Sequence, residues 1–154
     1  MYKELYSELR TIKTEIVEYR KNNPDYEKRD NQIIDIVNAV VELYYLCSKE
    51  GYLALEDEIT KYDWLPHYKY LEKLVLLITD GTAQERMAEI AIERYYMLNL
   101  HDYDALIALI YIEYARDIVL IDYYSLFIEA VLALLPSDIE ERYQIQKYTS
   151  GAEY

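Results

Sequence analysis

Only three glycines and three prolines interrupt these 154 residues, and that scarcity constrains the fold more than any other feature. A β-sandwich or barrel of this length reverses direction many times and needs turn residues at each reversal. Long stretches with apolar residues at steps of three and four are instead the mark of helices that bury one face. Apolar residues make up 53% and charged residues 29% of the chain, enough to bury a core and too apolar for the disordered class. The expectation is an all-α fold. A single domain over 1–154 would hold seven or eight short helices packed as antiparallel hairpins.

Helix one is expected over Tyr2 to Lys21, with Leu5, Leu9, Ile12 and Ile16 on one face. Asn22-Asn23-Pro24 ends it, and Asn23 as cap with Pro24 at the first helical position starts the next. Helix two runs to Glu50 with a stripe of Ile33, Val37, Val40, Tyr44 and Cys47. Gly51 follows as a left-handed terminator. A short helix over Tyr52 to Lys61 comes next. Leu65-Pro66 opens a fourth helix that ends at Asp80, with Gly81 as its stop. Thr82-Ala-Gln-Glu85 reads as a capping box for helix five, which His101-Asp102 breaks. Further helices are expected over 104–116 and 121–135. Ser137-Asp-Ile-Glu140 is a second capping box, and the last helix ends near Tyr148 with 149–154 fraying. The segments 74–86 and 131–142 share an apolar helix end, a turn, a capping box and a Glu-Arg pair. They pose an internal repeat of helical hairpins, offset by 56 or 57 residues.

The formal net charge is −13. Residues 1–77 carry 11 basic and 15 acidic groups, net −4, and residues 78–154 carry 5 and 14, net −9. That balance argues against nucleic acid and anionic membrane surfaces, which need clustered Lys and Arg. It suits solubility and a basic protein partner drawn in by long-range attraction. The lone Cys47 forms no internal disulfide, which fits a cytoplasmic location, and it sits on an apolar stripe where a thiol is inert. The start Met-Tyr-Lys-Glu-Leu lacks an apolar signal segment, and charges interrupt the most apolar region, 105–135, so no membrane span is expected. Tyrosine is abundant at 20 residues against one Phe and one Trp. In the pairs Tyr44-Tyr45, Tyr95-Tyr96 and Tyr123-Tyr124, neighbours point about 100° apart, so one can enter the core while the other faces a partner.

No catalytic pattern emerges. His67 and His101 lie 34 residues apart, and neither completes a Glu-x-x-His metal motif. Asp63 and His67 are four apart, with a helix start between them. No Gly-rich phosphate loop exists, and paired carboxylates such as Glu56-Asp57-Glu58 read as solvated faces. The chain is read as carrying no catalytic residues, no metal and no cofactor.

Residues 47–58 read Cys-Ser-Lys-Glu-Gly-Tyr-Leu-Ala-Leu-Glu-Asp-Glu, and residues 76–82 read Leu-Leu-Ile-Thr-Asp-Gly-Thr. These stretches, in this order and at this spacing, resemble two stretches of the cytoplasmic segment of the MotA family of flagellar stator proteins. The resemblance covers roughly residues 15–98, including Asn-Asn-Pro-Asp before helix two, and leaves 99–148 as additional helices. It implies a helical, cytoplasmic, non-catalytic domain that meets a rotor protein through charged groups. Glu56 matches the Glu that closes the family's Gly-centred motif. Ser48 stands where the family has Arg, and Lys49 beside it keeps a basic charge. Lys49 and Glu56 are thus the expected partner-binding residues, and Gly51 and Gly81 the helix-terminating ones. The family's membrane helices are not present in this sequence. The reading is a protein–protein interaction module, with unknown oligomeric state. A small metal-binding or enzymatic helical bundle using Glu, Asp and His, or a structural component of a larger assembly, is the alternative.

Overall fold

Ser137 to Ser150 and the other helices set out below come from a computed structural model that describes residues 2–120 and 124–150. In chain order they are α1 (Tyr2–Tyr6), α2 (Leu9–Asn22), α3 (Glu27–Glu50), α4 (Leu53–Glu58) continued by a 3₁₀ turn (Ile59–Tyr62), α5 (Tyr68–Thr79), α6 (Gln84–Leu98), α7 (Asp102–Leu120), α8 (Tyr124–Leu132) and α9 (Ser137–Ser150). No strand occurs among the described residues. The all-α expectation holds.

The arrangement centres on α7. Every residue from Ala105 to Ala115 is buried. A helix that is apolar on all sides has no face to give to solvent, so neighbours must surround it. α2, α3, α5, α6 and α8 all pack on it. The sequential pairs α3–α4, α5–α6 and α7–α8 do touch, but α2, α3 and α5 each lean on α7 more heavily. Consecutive helices thus stay in contact while several of them also wrap one central helix. α7 also runs past the expected end at Arg116, because Arg116 and Asp117 are helix-compatible residues that sit half-buried on its flank.

Several local expectations change. Helix one is broken at Ser7-Glu8, where the Ser7 hydroxyl donates to the Glu4 carbonyl at 2.5 Å and competes with the helical bond. Asn23 does not open α3. Its amide donates to the Tyr19 carbonyl at 2.8 Å and closes α2, and α3 begins only after the turn at residues 24–26. The Thr82 capping box does not form: α6 starts after Ala83, without a side-chain cap. Thr82 is already used, since its N–H closes the end of α5 on the Leu77 carbonyl at 3.1 Å. His67, at φ 55°, precedes α5 in place of Leu65-Pro66. The expected start of the next-to-last helix at Ile121 and the pair Tyr123-Tyr124 lie outside the described side chains. So does the end of the chain after Ser150, although α9 includes Thr149 and Ser150. The two repeat-like joints differ in construction. One turns on Gly81, whereas the other descends through Leu134 and Leu135 N–H bonds to the Val131 and Leu132 carbonyls before Pro136.

Candidate functional site

The joint between α3 and α4 carries the residues singled out in the sequence. The apolar stripe of α3 ends at buried Cys47. Gly51 then takes φ 86° and ψ 175° while its N–H stays bonded to the Cys47 carbonyl at 2.8 Å. That region of backbone space is open only to glycine. It swings the chain so that α4 can bury Leu55 against the core. Lys49, Glu50 and Glu56 remain exposed on the two sides of the joint. Among the described residues Glu56 has no ion-pair or hydrogen-bond partner. Ser48 faces solvent and its hydroxyl donates to the Tyr45 carbonyl at 2.8 Å, so it supplies no charge to this face.

Gly81 plays the matching part after α5, at φ 73°. The Gly81 N–H bonds to Ile78 and the Thr82 N–H to Leu77, each at 3.1 Å, the paired arrangement that closes a helix on a left-handed residue. It positions α6 and touches none of the exposed charges just described.

Beside Lys49 lies a groove of about 360 Å³, lined by Glu42, Tyr45, Leu46, Lys49, Glu50, Glu58 and Tyr62. The Tyr62 hydroxyl donates to Glu42 at 2.7 Å, and Lys61 pairs with Glu58 at 2.9 Å. The Lys49 ammonium sits 4.6 Å from the centre of the Tyr45 ring. The groove therefore combines apolar and aromatic side chains with three carboxylates, one of them paired with Lys61, and the Lys49 ammonium.

The paired tyrosines divide as the helical geometry requires. Tyr44 is buried and stacks on Phe127 with ring centres 4.2 Å apart, whereas Tyr45 is 40% exposed. Tyr95 is buried and Tyr96 exposed.

The histidines do not converge. His67 Nε2 lies 3.0 Å from Asp104, not on Asp63, and His101 Nδ1 lies 2.9 Å from Glu15. Among the described residues no group of three His, Cys, Asp or Glu side chains is placed to hold a metal ion. Burial pushes the Cys47 thiol up to about 11, so it is neutral and a poor nucleophile near pH 7.

Two polar clusters were not foreseen. In the first, buried Asp30 on α3 accepts from Tyr103 at 2.6 Å and from Arg20 at 3.0 Å, and Arg142 approaches to 3.7 Å. Arg20 also reaches Asp138 at 2.7 Å and donates to the Tyr103 hydroxyl at 3.0 Å. Next to it, the His67 hydrogen bond, reinforced by Arg29, holds the Asp104 carboxyl down at about 2. This cluster ties α2, α3, α7 and α9 together through mutual hydrogen bonds and ion pairs, with Arg29 Nε left buried and without a hydrogen-bond partner among the described residues, so it reads as a structural clasp. A signal was available: Asp30 falls three and seven residues before Ile33 and Val37, on the apolar stripe itself.

In the second cluster, Glu113 and Asp117 share one face of α7. The Tyr6 hydroxyl donates to Glu113 at 3.0 Å, and Arg116 lies 3.8 Å away. Burial raises the Glu113 carboxyl, and burial together with Glu113 lifts Asp117 to about 7. The sequence marked both as interruptions of an apolar run, but not their shared burial.

Among the described residues no helix is long and apolar enough to cross a membrane. No protein-family model matches the chain, and neither a curated protein nor a solved structure shows significant similarity to it.

Proposed function

We propose that the chain is a non-catalytic protein–protein interaction module that captures a basic partner on the face formed by the last turn of α3 and by α4. The observation that carries this reading is the exposed Glu56 carboxylate, without an ion-pair or hydrogen-bond partner among the described residues, set across Gly51 from the groove beside Lys49 that Glu42, Glu50 and Glu58 help to line. Charges of this kind steer encounter and fix register more than they add affinity. The net charge of −13 extends the same attraction over the whole molecule. The MotA-like stretches point to the same face, and to a rotor-like protein in the cytoplasm as the partner class.

Association with a basic rotor-protein domain as probe tests this. Glu56→Lys should slow capture several-fold at low salt, with the circular dichroism spectrum unchanged. The difference should shrink towards 1 M salt, where screening acts within about 3 Å. Equal association rates for the two proteins at low salt would remove this face from the interaction.

A further inference from the structure

We infer that copies of this chain join head to tail, the exposed face of α4 on one copy seating in the basic groove along α2 of the next. The inference rests on the interaction reading above for its α4 half, and it names a second copy of this chain as a basic partner.

The groove along α2 measures about 540 Å³. Arg10, Lys13, Thr14 and Val17 line it. They recur at steps of three and four, so they share one helix face, away from buried Ile12 and Ile16. Tyr6 and Leu9 add apolar surface, Val17 is 52% exposed, and no carboxylate lines the groove. Among the described residues the Arg10 guanidinium and the Lys13 ammonium have neither an ion pair nor a hydrogen bond. Elsewhere Arg20, Arg29, Lys61 and Arg86 are each paired with a carboxylate. Two unspent cations beside an exposed valine therefore stand out in a chain of net charge −13.

The same chain carries the complement. On α4, Glu56 and Asp57 lie three and four residues after Leu53 and share its face. All three are exposed, Leu53 to 74%. The Glu56 and Asp57 carboxylates likewise have no ion-pair or hydrogen-bond partner among the described residues. Two carboxylates and a leucine thus match two cations and a valine. Two cations are too few to hold a polyanion such as nucleic acid, but they answer two carboxylates one for one. α2 packs on α7, whereas α4 packs on α3 and α5, so the two faces are separate patches. An interface between unlike patches leaves each end of a pair open to another copy.

The net charge gives this association a signature in salt. At about 0.01 M salt, where screening acts over about 30 Å, two copies of charge −13 repel as wholes. At about 0.15 M it acts over about 8 Å, which suppresses that repulsion while facing charges in contact still attract. Towards 1 M the contact itself weakens. Self-association should pass through a maximum, whereas capture of a basic protein should only decline as salt rises.

Sedimentation equilibrium of the full chain tests this. At about 0.15 M salt the average mass should rise with concentration, and it should rise less at about 0.01 M and at 1 M. One variant carries Arg10→Gln with Lys13→Gln, and another Glu56→Gln with Asp57→Asn. Each alone should associate several-fold more weakly. Mixed, they share one intact interface per pair, so they should form 1:1 dimers that do not grow further. These side chains lie at the surface, and circular dichroism checks that the variants fold. Variants that associate as well as the wild type, or a mixture no heavier than its components, would overturn the head-to-tail contact. A wild-type chain that stays monomeric at every concentration and salt would overturn self-association. The capture of a separate basic protein would then stand or fall on Glu56→Lys.

Discussion

Asp30 shows how much a single buried charge asks of its surroundings. Only 3% of its surface is exposed, and it is held by Tyr103, Arg20 and Arg142. Removing the carboxylate leaves Arg20 partly buried with only Asp138 opposite it. Asp30→Ala should therefore lower the unfolding free energy by about 3 kcal/mol or more in a denaturant titration. The double change Asp30→Leu with Arg20→Met should cost less than Asp30→Ala alone, because no uncompensated charge remains. Asp117 makes a different prediction. Its neutral form is favoured by burial and by Glu113, against the pull of Arg116, so the folded chain keeps this proton to about pH 7. The unfolded aspartate releases it near pH 4. The resulting stabilisation is complete below about pH 4 and is lost as pH rises through about 7. Asp117→Asn should flatten the melting temperature between pH 5 and 8, raising it at the upper end. A wild-type melting temperature with the same slope as the variant would show that the carboxyl titrates normally.

At the scale of elements, the two glycines terminate helices in different ways, and substitution should separate them. Gly81 closes α5 in the left-handed arrangement that asparagine also tolerates. Gly51 sits at φ 86° and ψ 175°, where no side chain is comfortable. Neither glycine has an atom within 4 Å of where a Cβ would stand, so the cost is one of backbone conformation and not of crowding. Gly81→Asn should cost well under 1 kcal/mol, and Gly51→Asn or Gly51→Val about 1–3 kcal/mol by thermal unfolding. Equal losses at the two sites would mean that the joints are alike after all. Both glycines were legible as terminators because each follows an apolar helical stripe and precedes another. The different backbone at Gly51 was not legible, since it depends on the direction in which α4 must leave to bury Leu55.

At the scale of the whole molecule, stability concentrates on α7 and the helices around it. Leu109 is fully buried at its centre, whereas Leu53 on α4 is 74% exposed. Leu109→Ala should cost about 2–5 kcal/mol, and Leu53→Ala should stay within about 0.5 kcal/mol. A comparable loss at Leu53 would mean that α4 packs more tightly than its exposure suggests. The acidic balance works at this scale as well. With a net charge of −13, self-repulsion opposes compaction and solubility is favoured, and both effects weaken with added salt.

Local chemistry is written in neighbouring residues, and this part could be read directly. The absence of turn residues and the three-four spacing of apolar positions determined an all-helical chain. They also determined where α3 ends and that Tyr44 lies on its buried stripe, whereas which tyrosine of Tyr95-Tyr96 enters the core was decided by packing. Helix starts were read less well. Asn23 and Thr82 look like caps in sequence, but each is used by the preceding helix, and only the path of the chain decides which end such a residue serves. Tertiary structure alone chose α7 as the centre, because burial on every side requires neighbours from α2, α3, α5, α6 and α8 at once. It also joined Asp30 to Tyr103 across 73 residues and Tyr6 to Glu113 across 107. Contacts at such separations leave no periodic trace in sequence, since each partner is chosen by packing and not by spacing. The groove beside Lys49 belongs to the same class. Its residues from α3, from the end of α4 and from the 3₁₀ turn become one surface only after Gly51 has redirected the chain.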